Sequence, residues 1–148
     1  MSRRPPPDVD EFGAADTVSR KRVQEAARRK TSLKDSDLRG VDLSNLTLDG
    51  LDLRGVKLAE ANLTGTSLVG ADLSNASLWH ATLKDACLDG ANLEGADLDL
   101  AILDGATIKG ARVKRASFPT DRISLERIHE AIHSGARLRM TGTPEESD

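Results

Sequence analysis

From Leu33 to Phe118 an apolar residue, nearly always leucine, recurs at every fifth position without interruption: eighteen consecutive pentads, ninety residues of a 148-residue chain. That period excludes ordinary secondary structure. Five residues of α-helix turn through about 140°, so the leucines would spiral round every side, and on a flat strand each step of five changes face. A second apolar column resolves the conflict. Two residues before most of these centres stand Val41, Leu46, Leu51, Val56 and Ala61, and then ten successive alanines from Ala71 to Ala116. Residues two apart share one side of a short extended segment. Two residues after each leucine the chain carries Gly, Asn or Asp in thirteen of eighteen pentads, the residues that accept the backbone angles of tight turns. Each pentad is therefore one edge and one corner.

Repeating an edge and a corner with a constant hand generates a solenoid, with leucine pointing to the axis and alanine filling the corner beside it. Four near-right-angle corners per turn is the simplest closure. A twenty-residue coil would align Gly50, Gly70, Gly90 and Gly110 at one corner, and Thr47, Ser67, Cys87 and Thr107 on the adjoining face. Units such as Ala61-Asn62-Leu63-Thr64-Gly65, Ala71-Asp72-Leu73-Ser74-Asn75 and Ala91-Asn92-Leu93-Glu94-Gly95 resemble the A-(D/N)-L-x-x units of pentapeptide-repeat proteins. The resemblance covers all eighteen units and implies an all-β fold, a right-handed quadrilateral β-helix. Eighteen pentads then make about four and a half coils, a rod only about 22 Å long at a strand spacing of roughly 4.8 Å. The early units carry Val41, Leu46, Leu51 and Val56 where later ones carry alanine, which predicts a wider first coil. The last centres, Ile108, Val113 and Phe118, predict a bulkier terminal plug.

Composition agrees with one domain whose core is the ladder itself, since aromatic residues are 2% of the chain and tyrosine is absent. No apolar run is long enough to cross a membrane, and Met1-Ser2-Arg3-Arg4-Pro5-Pro6-Pro7 does not read as a signal peptide, so the expectation is a cytoplasmic protein with no membrane contact. The single cysteine, Cys87, reads as a small residue of a Thr/Ser column.

Outside the repeats, residues 1–16 are Pro-rich and acidic and read as disordered. Residues 17–30 read as a basic helical cap, with Val18, Val23, Ala26 and Ala27 nearest the first coil. Their basic residues have no aromatic companions, which argues against direct nucleic-acid binding. Residues 121–135 predict a second helix, with Asp121 as N-cap and Gly135 as its stop. Ile123, Leu125, Ile128 and Ile132 would give it an apolar side for the open end of the rod, and the family resemblance also admits a homodimer joined through this helix. Residues 136–148 read as a flexible tail.

Within that helix His129-Glu130-Ala131-Ile132-His133 matches H-E-x-x-H, in which two histidines one turn apart bind zinc and the glutamate polarises water. The chain supplies neither a third ligand nor a cleft, so the pair reads as two solvated histidines, and no metal or cofactor is expected. The carboxylates of a rod point into water, where no pocket tunes them, and no enzyme activity is expected.

What remains is recognition by outward positions. Trp79, one residue after its leucine, points outward; with a twenty-residue coil Leu100 stacks above His80, and Ile102 follows just round the corner. Trp79, His80, Leu100 and Ile102 then form an exposed apolar patch, the mark of an interface. Asp85, Asp89, Glu94, Asp97, Asp99 and Asp104 form an acidic band without an intervening base. These residues predict a non-catalytic interaction or scaffold module with an unidentified protein partner. The alternative comes from the resemblance: one branch of the family mimics DNA and protects gyrase or other topoisomerases from poisons. Against it, the repeats net only −4, from thirteen acids and nine bases.

Overall fold

A computed structural model of the chain describes residues 14–141, and the side chains from residue 19 onward. Helix α1 (Ala14–Arg29) is followed by the repeats and then by helix α2 (Leu125–Ser134). Between the helices the backbone pairs in parallel with itself. Every residue preceding a ladder leucine from Asp37 to Asp97 bridges the residue twenty positions later, as in Asp37–Lys57, Ser67–Cys87 and Asp97–Ser117. The pairing is carried by single residues rather than long strands, because each edge is interrupted by a corner after five residues. Four bridge columns result, named here by their outward residues: Asp37–Ser117, Asp42–Ile102, Thr47–Thr107 and Asp52–Arg112.

Nearly every corner is closed by one hydrogen bond, for example Ala71 N–H to Leu68 O at 3.1 Å, and the edges are tied to the next coil, for example Leu78 N–H to Asp97 O at 2.7 Å. The corner residue lies in the left-handed region from Asp35 (φ 62°) through Arg115 (φ 60°), whatever its identity. A hydrogen bond across four residues with positive φ at the third is a type II turn. The ladder leucines and the alanines beside them are buried in a single core, with Leu63, Leu68, Leu73 and Leu78 fully enclosed. One fully buried member of the inner column is polar. Thr66 is completely buried, and its hydroxyl donates to Leu43 O at 2.7 Å, so the core keeps no unpaired oxygen there.

The flanks depart in detail from expectation. α1 begins at Ala14 rather than residue 17, so residues 14–16, expected to be disordered, are helical; residues 1–13 lie outside the described residues. Val23 and Ala26 are buried against the ladder, while Val18 lies among the residues whose side chains are not described. Ser124, not Asp121, is the N-cap of α2: its side chain accepts the Arg127 N–H at 3.1 Å, and Asp121 belongs to the preceding turn, where Arg122 and Ile123 donate to Pro119 O. Gly135 (φ 80°) ends the helix as expected.

Ile123 and Ile128 join the core and Ile132 packs at its margin, but Leu125 is 65% exposed. The geometry of a helix explains that correction. The buried side runs through Ile128 and Ala131, and Leu125 lies about 90° round from their midpoint. Residues 136–141, expected to belong to a flexible tail, add another pairing instead. Gly105 N–H donates to Leu138 O at 2.8 Å and Leu138 N–H to Ala106 O at 2.8 Å, and both Leu138 and Met140 are buried. The remainder of that tail, 142–148, lies outside the described residues.

Candidate functional site

A twenty-residue coil stacks residues of equal position into columns, so the character of each edge of the rod is read by stepping through the chain in twenties. One corner reads Gly50, Gly70, Gly90, Gly110, and a Cβ added at Gly50, Gly70 or Gly110 would meet nothing within 4 Å. Two further corners mix glycine with Asp or Asn. There, for example, the Asn45 and Asn75 side chains lie over Gly65 and Gly95 one coil later, so a side chain at either glycine would run into them. The fourth corner, between the Asp37–Ser117 and Asp42–Ile102 faces, reads Gly40, Glu60, His80, Leu100. Glu60 (φ 62°), His80 (φ 60°) and Leu100 (φ 61°) all hold the left-handed conformation. For an L-residue that costs about 1 to 2 kcal/mol relative to the right-handed region, least for Asn or Asp, whose side chains bond locally. Arg115 (φ 60°), on another corner, shares this conformation, but only the fourth corner carries three such bulky residues in successive coils.

The apolar patch sits on this edge. Trp79 is 40% exposed, Leu100 51% and Ile102 37%. The Trp79 and His80 rings lie 5.2 Å apart between centroids, tilted by 33°, and His80 Nδ1 approaches Glu60 Oε2 at 3.9 Å. Leu100 stands one coil after His80, whose N–H donates to Asp99 O at 2.9 Å, and Ile102 pairs with Thr82 on the adjoining face. In Trp79's own column the residue one coil earlier is Ala59, too small to cover the indole, and the one a coil later is Asp99. Of the four residues picked out from the sequence, Trp79 and His80 are in ring contact, Leu100 stands one coil later at the same corner, and Ile102 lies on the adjoining face. Val69, 41% exposed in the Thr47–Thr107 region, was not picked out and stands away from them.

The acidic band is not one surface. Asp85 and Asp104 follow the Asp42–Ile102 face, Asp89 the Thr47–Thr107 face and Glu94 the Asp52–Arg112 face, while Asp97 and Asp99 lie on the Asp37–Ser117 face beside Trp79. Six acids encircle the rod, because the period of twenty distributes a run of twenty residues over all four faces. Several are engaged: Glu94 pairs with Arg112 (3.0 Å), Asp89 accepts from Lys109 N–H (3.0 Å), Asp104 from Met140 N–H (2.8 Å), and Asp97 from Asp99 N–H (2.9 Å) and the Ser117 hydroxyl (3.1 Å). Asp99 remains open to solvent next to the indole.

The carboxyl groups whose acidity the fold changes lie near the α1 end. The Arg39 guanidinium lowers the Asp37 pKa, the Ser44 hydroxyl and backbone lower that of Asp42, and Arg54, helped by Ser32, holds Asp52 far below the usual carboxylate range. Every one of these changes favours the anion, the opposite of what a general acid needs. His129 and His133 are exposed on α2, their rings 4.6 Å apart edge to face, and among the described residues no three His, Cys, Asp or Glu groups are placed to hold a metal. Nor is any described helix long and apolar enough to cross a membrane.

Around α1, Arg20 and the following Lys30 reach the rod, while Arg28 and Arg29 pair within the helix. Arg20 donates to Asp42 O and Ser44 O, both at 3.0 Å, Lys30 reaches Asp49 O, and Arg28 and Arg29 pair with Glu25.

The repeat pattern is matched by the family model for pentapeptide repeats, in eight copies over residues 29–58, 57–95 and 88–118. The chain belongs to the pentapeptide-repeat family. Its fold is accordingly the right-handed β-helix solenoid of that family. Among solved structures, the pentapeptide repeat protein alr5209 from Nostoc Pcc 7120 is 35% identical with a TM-score of 0.58, over 67% of this chain and 84% of that one. Rfr23 from the cyanobacterium Cyanothece 51142 is 35% identical with a TM-score of 0.56, over 57% of this chain and 58% of Rfr23, so the chain spans less than two thirds of that relative. QnrB1, a plasmid-mediated fluoroquinolone resistance protein, is 17% identical with a TM-score of 0.33, over 55% of this chain and 53% of QnrB1. A likeness at that level carries no argument about a shared target. No curated protein matches the chain.

Proposed function

We propose that this pentapeptide-repeat protein is a non-catalytic interaction module, a rigid β-helix of about four and a half coils closed by α1 and α2, whose Glu60–His80–Leu100 edge docks a protein partner. Trp79, Leu100 and Ile102 supply the apolar contact, and Asp97 and Asp99 the polar rim. One observation carries the reading: bulky residues hold left-handed backbone at an exposed edge where glycine serves the fold better, and the single tryptophan stands beside them. Exposed aromatic and aliphatic side chains grouped within a polar surface are characteristic of docking sites. The DNA-mimic alternative gains nothing from this geometry, since the acids circle one coil instead of continuing along the rod.

The test is affinity capture from native extract with the parent protein, a Trp79→Ser/Leu100→Gly variant and a Val69→Ser variant as a control on another face. The parent and Val69→Ser are expected to retain the same partner and the double variant to lose it, with all three equally folded by circular dichroism. Retention by the double variant would remove this edge as the docking site.

A further inference from the structure

The chain's net charge of −3 conceals a reversal at the α2 end, where residues 105–141 carry eight Lys or Arg against three Asp or Glu. Three of these bases surround one cavity. It measures about 180 Å³ and lies between α2 and the segment after Gly135, lined by Arg127, Glu130 and Ala131 of the helix and by residues 136–139.

The backbone explains why the arginines converge. Leu138 is buried and pairs with Gly105 and Ala106 of the last coil, so its neighbours Arg137 and Arg139 both turn away from the core and share one side. On α2, Ile128 and Ala131 face the core, and Arg127 and Glu130, three residues apart, are neighbours on the helix surface beside them. The frame is held at both ends: Gly135 N–H donates to Ala131 O at 2.9 Å, and Met140 N–H to Asp104 at 2.8 Å.

A guanidinium carries five N–H donors. Arg137 places one on Gly105 O at 2.6 Å, Arg127 reaches Arg139 O only at 3.5 Å, and all three arginines are exposed. Like charges around one cavity repel one another, and Glu130 is the only acid among the described residues that line it. A bound dianion rich in acceptor oxygens relieves that repulsion. A phosphate group fits, because its charge is near −2 and guanidinium forks hold its oxygens by parallel pairs of hydrogen bonds. A carboxylate, with two oxygens and one charge, would satisfy one fork and leave the others facing each other. The cavity is smaller than the roughly 300 Å³ at which sites for drug-sized ligands begin, which limits the occupant to phosphate or the phosphate end of a small ester.

We propose that Arg127, Arg137 and Arg139 form a binding site for a phosphate group, taken as the free ion or as a small phosphate ester. The site is independent of the docking edge proposed above.

The isotope-labelled full chain is titrated with inorganic phosphate, glycerol 3-phosphate and glycerol at constant ionic strength, and its backbone amide signals are followed by nuclear magnetic resonance. Signals between Arg127 and Arg139 should shift and saturate with a dissociation constant of about 1 mM or below for both phosphate compounds, while glycerol leaves them unmoved. The tighter of the two distinguishes the free ion from an ester as the preferred form. No saturable shift by about 10 mM, or equal shifts at the basic residues of α1, would overturn the proposal. Arg127→Gln/Arg137→Gln should weaken binding about tenfold. Glu130→Gln keeps all three arginines and removes the repelling carboxylate, so it should tighten binding about threefold even if the arginine variant disturbs the pairing of Leu138. Unchanged or weaker binding by Glu130→Gln would also overturn the proposal.

Discussion

The corner of Gly50, Gly70, Gly90 and Gly110 and the corner of Glu60, His80 and Leu100 share one backbone conformation and occupy corresponding places on the same rod. One is built only from glycine and the other tolerates a carboxylate, an imidazole and a branched aliphatic chain. Since the hydrogen bonds and φ values agree, the coil itself does not demand the second set. Folding requires a left-handed residue at each corner; the identity of that residue, where space is open, is available for recognition. The two corners with Asn45 over Gly65 and Asn75 over Gly95 represent a third case, in which glycine is required by packing as well as by φ.

Substitutions can sharpen this comparison. The largest effect is expected at a packed corner: in Gly105→Ala the new Cβ would lie 3.1 Å from Asp85 Cγ and 3.3 Å from its backbone N, in addition to adopting positive φ. A loss of about 2 to 3 kcal/mol in urea unfolding is expected; an unchanged midpoint would show that the corner relaxes freely. Gly70→Leu places a side chain in open space and should cost only the left-handed conformation, about 1 to 2 kcal/mol. Leu100→Gly reverses that change and should gain about 1 kcal/mol, less the entropy that glycine adds to the unfolded chain.

The smallest expected effect concerns Asp52, whose pKa is lowered by Arg54 and Ser32. A carboxyl with a depressed folded-state pKa contributes stability that is complete above its unfolded value, near 3.9, and is lost as pH falls towards the folded value. Asp52→Asn should therefore lower stability at neutral pH by no more than about 0.5 kcal/mol, as suits a pair close to solvent, and the difference from the parent should fade below about pH 4. A difference that persists undiminished at lower pH would assign the effect to hydrogen bonding by the amide site instead of charge.

Much of this molecule was legible because the pentad period is local and unbroken. The inward columns, the outward place of Trp79 and the stacking of Leu100 on His80 all follow from counting in fives and twenties. What escaped depends on contacts the period does not encode. Thr66 occupies an alanine position because Leu43 O is within reach of its hydroxyl, a partner twenty-three residues away. Asp121 and Ser124 are both good N-caps by type; the turn at Pro119 decides between them. Leu138 and Met140 look like isolated apolar residues in a tail because the edge they complete, at Gly105 and Ala106, lies in another part of the sequence. The acidic band reads as a stripe along the chain and becomes a ring in space, since one coil consumes the same twenty residues that contain it.

The central claim is that the bulky corner serves recognition and not folding, and the reciprocal pair Leu100→Gly and Gly70→Leu tests it most directly in one urea-unfolding experiment. The account predicts a midpoint above the parent for Leu100→Gly and below it for Gly70→Leu. A midpoint for Leu100→Gly clearly below the parent would contradict it, making Leu100 part of what holds the rod together.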